Sequence, residues 1–363
     1  FLLGPQANGM ANAVVQVIGE GTVVNSGIAG EIGIYRLMAT AFTLLLLGFI
    51  IFGGIKRIAN FAEVVVPFMA LAYIGLALII VVINITHVPK LIALIIGDAF
   101  SPQAGFGAAI GWGVKRGIYS NEAGQGTGAH PAAAADVEHP VQQGLIQAFS
   151  VYITTLLVCS ATALVILMTK QYNVVADQTF AGAGTQYIAS YLHDAAGAVI
   201  HADPNSPAFT QIGMESVFGK IGPVLVAIAI FFFAFTSILA YYYIAETNIL
   251  YLARKFGWQR DVTLIVKLSA MLAVTYGAVG SAGYIWKLGD IGVGLNAWLN
   301  IIGLLIIFFR AGRPTIRALR DYERQQKEKA AVYTFDPQTL GIKHATFWEE
   351  RIRAEAEKTK AKP

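Results

Sequence analysis

The sequence predicts an all-α polytopic membrane protein, and three observations carry that prediction. The chain of 363 residues is 56% hydrophobic and only 13% charged, with a mean hydropathy of +0.59, far from the soluble average. Apolar runs of spanning length recur along it, a crossing needing about 20 mostly apolar residues. One further segment, Gly105–Pro131, begins like a membrane helix and then crowds glycines among polar residues.

The elements follow in order. Phe1–Ile18 is a weaker candidate crossing, and Tyr35–Phe52 and Phe61–Ile85 are strong ones. Val88–Ile96 reads as a short interfacial or re-entrant helix, and the broken segment at about Ala104–Ala129 is the second weaker candidate. Val141–Met168, Pro223–Leu250, Val262–Gly280 and Leu288–Phe309 complete about eight crossings. Lys170–Gly219 forms a long connection with an amphipathic patch near Tyr187–Leu192, and loops of such length are functional or mobile. From Arg310 the chain turns polar, and DYERQQKEKA reads as a solvated helix. The organisation is therefore a transmembrane domain, 1–309, and a polar tail, 310–363.

The net charge of +4 does not point to nucleic acid, because half of the 26 basic residues lie from Arg310 onward among balancing acids. Lys56 and Arg57, then Arg254, Lys255 and Arg260, then Arg310, Arg313, Arg317 and Arg320 fall on one side if all eight segments cross. The opposite loops carry few basic residues. That asymmetry places the C-terminus in the cytoplasm. Cys159 is the only cysteine and lies in an apolar span, so it reads as an inert, buried thiol.

The broken segment is where binding is expected. Gly117, Gly124, Gly126 and Gly128 surround Ser120, Asn121, Glu122 and Thr127. A continuous helix gains nothing from glycines that cost about 1 kcal/mol each relative to alanine. Irregular polar backbone at membrane depth survives only where it is buried in protein or lines a wet cavity, and transporters use such breaks to bind substrates and ions. Glu122 is expected as a buried charge, pairing with Lys115 or Arg116 or meeting a ligand. Three crossings precede the break and four follow it. If the break opens the second of two five-helix inverted repeats, residues 1–85 are part of the first repeat and about 104–309 the whole second one. The chain, opening at Phe1 inside an apolar segment, then reads as truncated or processed at its N-terminus.

The stretch GWGVKRGIYSNEAGQGTGAHPAAAADVEHPVQQGLIQ, with QANGMANAV at Gln6–Val14 and FAFTSILAYYYIAE at Phe233–Glu246, resembles the signature regions of the alanine or glycine:cation symporters. The resemblance runs from Gln6 to about Arg313. It implies a five-plus-five inverted-repeat (LeuT-type) fold with about eight of its helices present, in the cytoplasmic membrane of a prokaryote. It implies sodium-coupled symport of alanine or glycine, with Na⁺ as coupling ion, no cofactor and no other metal. Its N-terminal region, with its own broken helix, would precede Phe1. Thr154 stands where family members usually have aspartate, and Tyr241 where they usually have tryptophan.

Candidate substrate contacts are Gln6, Tyr119, Ser120, Asn121, Gly124, Gly126, Ser237 and Tyr241. Glycines let backbone approach a ligand, or let helices pack closely. By the resemblance, Gln6 lies near substrate and the hydroxyls of Thr236 and Ser237 supply oxygens to sodium. The plain alternative is that both hydroxyls bond back to their own helix. His130, Glu138 and His139 raise a metalloenzyme reading, but the histidines are too far apart for two ligands one helical turn apart and no third ligand is evident. Neither a G-x-S-x-G elbow nor a histidine beside Cys159 suggests a nucleophile. The chain reads as a transporter and not an enzyme, with proton coupling as the alternative, or a non-transporting remnant if the preceding helices are absent natively.

Overall fold

A computed structural model of the chain describes residues 1–25, 30–100, 106–175, 187–190 and 206–360. The helices gather into two compact units: Phe1–Ser120 with Thr154–Gly294, and Asn121–Ile153 with Leu295–Pro363.

In the first unit, α1 (Leu3–Ile18), α2 (Ile34–Ile51), α3 (Ile55–Ile83), α8 (Ser160–Thr169), α9 (Ala208–Phe218) and α11 (Gln259–Val279) pack around or beside α10 (Ile221–Ala253). Two apolar clusters share α10: one holds Leu47, Ile51, Phe235, Ile238, Tyr242 and Val274, the other Tyr73, Ile80, Val165, Met214 and Val226. Small residues let α1 and α11 approach backbone to backbone. A methyl on Gly277 would lie 2.5 Å from the Cα and O of Gly4, the close contact small residues permit between membrane helices. Buried amides fasten helix ends. Asn8 Nδ2 donates to the carbonyls of Gly277 and Gly280 at 3.0 Å each, and Gln211 Nε2 to those of Ala13 and Pro223 at 2.9 and 3.2 Å. The Gly277 and Gly280 carbonyls, at the end of α11, would otherwise lack partners within the helix. From Asn8 a polar chain continues through Asn12 and Arg36 to Glu20, each link 2.9 Å.

Among the described residues, six helices are long and apolar enough to cross a membrane: Ile34–Ile51, Ile55–Ile83, Pro140–Thr169, Ile221–Phe256, Gln259–Val279 and Ala282–Arg310. They coincide with the six strong apolar runs. The two weaker candidates are helical too, α1 and α5 (Phe106–Asn121), but at 16 residues each they are shorter than the six. Only 11% to 33% of each spanning window is buried within the protein, and side chains such as Phe42, Leu45, Phe68 and Leu272 face outward. That surface suits lipid, which supplies the apolar solvent a soluble protein lacks.

Several details depart from the sequence reading. Two short antiparallel strand pairs occupy connections to which the sequence reading gave no strand, β1 (Val23–Asn25) with β2 (Glu31–Gly33) and β3 (Asn173–Val175) with β4 (Tyr187–Ser190). Of the Tyr187–Leu192 patch only 187–190 is described, and it is strand. The helix at Val88–Ile96 forms, as α4 (Val88–Ala99). No break marks residue 310, because α12 runs unbroken from Ala282 to Lys327.

The second unit holds the break after α5, then α6 (Ala129–Ala134), α7 (Pro140–Tyr152), the later part of α12 and α13 (Thr346–Lys360). The tail is not a free solvated segment. Residues 328–345 fold back so that Gln325 brackets Thr334, donating to its carbonyl at 2.7 Å and accepting from its N–H at 2.8 Å. Tyr322, Tyr333, Phe335 and Trp348 stack into a small aromatic core around His139. Glu138 accepts the Tyr333 N–H at 3.0 Å, and Arg351 reaches Asp136 at 3.2 Å and the Val137 carbonyl at 2.8 Å.

Candidate functional site

The first unit contains a cavity of about 470 Å³ walled by α1, α5, α8, α9, α10 and the start of α12. Three expected substrate contacts line it: Gln6 from α1, and Tyr119 and Ser120 from α5. Thr162 and Ile166 come from α8, Phe209 and Thr210 from α9, Phe233 and Ala234 from α10, and Trp286 from α12. The chamber thus mixes hydroxyls and an amide with aromatic and aliphatic walls, the usual make-up of a small-molecule pocket. Thr162 is held by the Tyr73 hydroxyl at 2.6 Å, and Ser120 Oγ lies 3.0 Å from Cys159 Sγ. Cys159, expected to be buried and inert, is half-buried beside the cavity wall, at the end of the π-helical stretch Ile153–Cys159.

Among the described residues lining the cavity, Arg116 is the only charged one. With Lys115 it faces Asp290 on α12: Lys115 Nζ lies 2.5 Å from Oδ2 and Arg116 Nη1 lies 3.4 Å from Oδ1. The guanidinium sits 5.4 Å from the ring centres of both Trp112 and Trp286, and Trp286 packs 5.5 Å from Tyr119. Two cations thus share one carboxylate. The sequence reading offered these cations to Glu122, and Asp290 takes them instead. The signal was present, since Asp290 is the only acid between Asp261 and Asp321 and lies in an apolar helix.

In α10, Thr236 Oγ1 donates to the carbonyls of Phe232 and Phe233 at 2.9 and 3.0 Å, and Ser237 Oγ to that of Phe233 at 2.9 Å. Both hydroxyls therefore bond back to their own helix and keep only lone pairs for anything else. Ser237 and Tyr241 do not line the cavity, and Tyr241 is buried. Asn8 holds the end of α11 rather than lining the cavity.

The second unit carries the break. α5 ends at Asn121, and Glu122, Gly124 and Gly126 take positive φ of 54°, 86° and 81°. The Gln125 N–H closes a turn onto the Glu122 carbonyl at 3.0 Å, and Asn300 Nδ2 donates to the Gly124 carbonyl at 2.9 Å. Glu122 is not the buried charge expected: a left-handed turn carries it out of the helix, and it is half-exposed. Thr127, not among the expected contacts, is buried, and its hydroxyl has no hydrogen-bond partner among the described residues. His139 caps α7, its Nδ1 accepting the Val141 N–H at 3.2 Å, while Gln142 accepts the His139 N–H at 3.2 Å. His139 and Glu138 thus serve the fold of the tail.

Comparison with known proteins agrees with this architecture. A profile described as the sodium:alanine symporter family matches residues 6–336. The chain is 50% identical to YrbD of Bacillus subtilis (strain 168), provisionally named a sodium/proton-dependent alanine carrier, over 92% of this chain and 66% of that protein. It is 44% identical to the sodium/proton-dependent alanine carrier protein of Bacillus sp. (strain PS3), over 92% and 72%. It is 31% identical to the sodium/alanine symporter AgcS of Methanococcus maripaludis, over 78% and 57%. The chain thus spans 57% to 72% of the length of these relatives. With its six membrane-length helices and a glycine-rich helix break, the chain belongs to the sodium:alanine symporter family.

Proposed function

We propose that this protein carries out sodium-coupled symport of a small neutral amino acid, alanine or glycine, across the cytoplasmic membrane of a prokaryote. The observation that carries the reading is the cavity in which Gln6, Tyr119 and Ser120 meet, lined by residues of α1, α5, α8, α9, α10 and α12. A ligand there touches six elements at once, so its binding can favour one arrangement of those helices over another. An occluded state that needs both amino acid and ion then converts the ion gradient into uptake.

The ion is assigned to Thr236 and Ser237. Each hydroxyl gives its hydrogen to a helix carbonyl, so its oxygen can act toward a cation only as an acceptor. Hard cations favour such neutral oxygens. Asn121, Gly124 and Gly126 are assigned to substrate by way of backbone at the break, and Tyr241, which does not line the cavity of this structure, by the family resemblance alone. In the five-plus-five, LeuT-type arrangement, α1 to α3 are helices three to five of the first repeat, and α5 to α12 form the second. Proton coupling is the second reading, favoured by the sodium/proton-dependent names of the two Bacillus relatives.

Uptake of labelled alanine and glycine into proteoliposomes carrying the full-length protein tests this. An inward Na⁺ gradient should drive accumulation that an equal K⁺ gradient does not, and Thr236→Ala should raise the Na⁺ concentration required. Accumulation that follows a pH gradient in the absence of Na⁺ would establish the proton reading instead. Absence of uptake under both gradients overturns the assignment.

A further inference from the structure

Where α12 leaves the apolar window that ends at Arg310, its sequence runs RAGRPTIRALR, four arginines and no acid. Arg310, Arg313, Arg317 and Arg320, followed by Arg324 and Lys327, recur at steps of three or four residues, so they line one face of the helix. All six are exposed, while Ala318 and Gln325, on another face, are buried. Arg324 pairs with Asp321. Arg310, Arg313, Arg317 and Arg320 have no hydrogen bond or ion pair among the described residues. Arg317 only rests beside Gly341, where an added methyl would lie 2.7 Å from its Nη1. Next to the row, Ile316 and Leu319 stay 46% and 40% exposed. Like charges one turn apart repel, so the row weakens the helix unless an anion lies along it.

We propose that this arginine row binds the headgroups of anionic phospholipids at the face of the bilayer where α12 emerges. The position suits that partner. Arg313 and Arg317 stand about 5 and 10 Å beyond Arg310 along the axis, at 1.5 Å per residue, and the headgroup layer is about 5–8 Å deep on each side. Helical side chains lean toward the N-terminus, which here is the membrane side. The guanidinium groups therefore reach back to the phosphates, while their aliphatic stems stay with the acyl boundary. Arg320, about 15 Å out, still lies within a Debye length of the layer's outer edge. Guanidinium forks match phosphate oxygens in pairs. Ile316 and Leu319 fit the same boundary, where apolar and basic side chains share one helix. Charge complementarity selects a lipid of net negative charge over a zwitterionic one, whose quaternary ammonium would meet the row. The inference is independent of which ion or amino acid is carried.

The test is equilibrium binding of a fluorescent-tailed phosphatidylglycerol to the full-length protein in neutral detergent, with unlabelled phosphatidylglycerol and phosphatidylcholine as competitors. Wild type should favour phosphatidylglycerol about tenfold, a factor that one or two basic residues near an anionic surface supply. The triple variant Arg310→Gln, Arg313→Gln, Arg320→Gln should bring the two lipids to within about twofold of each other. Arg317 is left in place because it touches the tail. The control Lys329→Gln, Lys343→Gln, Arg353→Gln removes the same charge from the tail and should keep the preference. Raising salt from about 0.05 to about 0.5 M should weaken phosphatidylglycerol binding in wild type and not in the triple variant. A preference retained by the triple variant overturns the proposal. Equal loss in the control also overturns it, leaving only the net charge of the protein. Wild type that binds both lipids alike overturns it too, and leaves the row to water or to another protein. Inorganic phosphate that displaces the labelled lipid better than chloride at equal ionic strength would make the row a soluble-anion site, against the lipid assignment. Should the triple variant fail to fold, Arg310→Gln and Arg313→Gln singly decide: each should lower the preference about threefold, and no change in either overturns the proposal.

Discussion

A methyl group on Gly126 would lie 2.6 Å from Asn300 Oδ1, on a backbone held at φ of 81°. Gly124 has nearly the same backbone, φ 86°, but open space where its Cβ would go, and Gly128 lies at φ −61° with only the end of the Gln147 side chain nearby, 3.1 Å away. Left-handed backbone costs a non-glycine residue roughly 1–2 kcal/mol, and a forced shift of Asn300 also endangers its bond to the Gly124 carbonyl. Alanine substitution should therefore be worst at Gly126, by about 2 kcal/mol or more, milder at Gly124 and smallest at Gly128. Thermal unfolding in detergent checks the ranking, and equal effects at all three would contradict it. The glycines were legible in the sequence because positive φ needs glycine, whatever the ligand. Their individual duties were not, since Asn300 lies far along the chain. Arg116 and Asp290 were hidden for the same reason: an acid 174 residues away took the cations that a nearer one, Glu122, invited.

Among the elements, α7 depends on one side chain for its start. The Val141 N–H needs a lone pair on His139 Nδ1, so the neutral ring carries its proton on Nε2, which lies 3.7 Å from Asp321, too far for a hydrogen bond. Burial pushes the His139 pKa below its ordinary value, with Asp321 opposing only in part. Asp321 is also engaged by Arg324 and by Gln325 at 2.8 Å. Since the folded value is depressed, the stability this histidine contributes is complete above the ordinary value near about 6.5 and is lost as pH falls below it through the folded value. The protection factor for hydrogen exchange over residues 328–345, which removes the intrinsic pH dependence of amide exchange, should accordingly fall as pH drops from about 7.5 to about 5.5. His139→Asn keeps a capping acceptor without titrating, and should flatten that dependence. Identical profiles for the two proteins would remove His139 as its cause. Spanning helices such as α10 could be read directly, because unbroken apolar sequence leaves a long segment no other stable form in lipid. The π-helical turn at Ile153–Cys159 and the strands in the connections left no comparable trace. The tail was read as solvated from its charges, and its aromatic residues, spread from Tyr322 to Trp348, form a core only once the chain folds back.

At the scale of the whole molecule, the tail reports on how the chain threads the membrane. Arg351 bonds to Asp136 and Val137, and Glu138 to Tyr333, so the turn before α7 and the tail after α12 share one side. Four of the six membrane-length helices lie between them, Pro140–Thr169, Ile221–Phe256, Gln259–Val279 and Ala282–Arg310. An even number of crossings returns the chain to its starting side, which matches the contacts without any assumption about α1 or α5. α12 itself must leave the bilayer: its 46 residues extend about 69 Å at 1.5 Å per residue, more than twice the hydrocarbon thickness of about 30 Å. Its charged second half therefore stands in water, with Arg310, Arg313, Arg317 and Arg320 at the exit. Basic residues at the exit favour the cytoplasm. On a Cys159→Ser background, a cysteine at Lys343 in the tail should then react with a membrane-impermeant maleimide only after cells are opened. A cysteine at Glu31, exposed in the connection between α1 and α2, should react in intact cells. Labelling of position 343 from outside would reverse the orientation, and with it the direction of every gradient invoked for transport. Labelling of both positions from the same side would leave an even number of crossings between them, as the six long helices alone give, and would remove α5 as the seventh crossing that the prediction assumes.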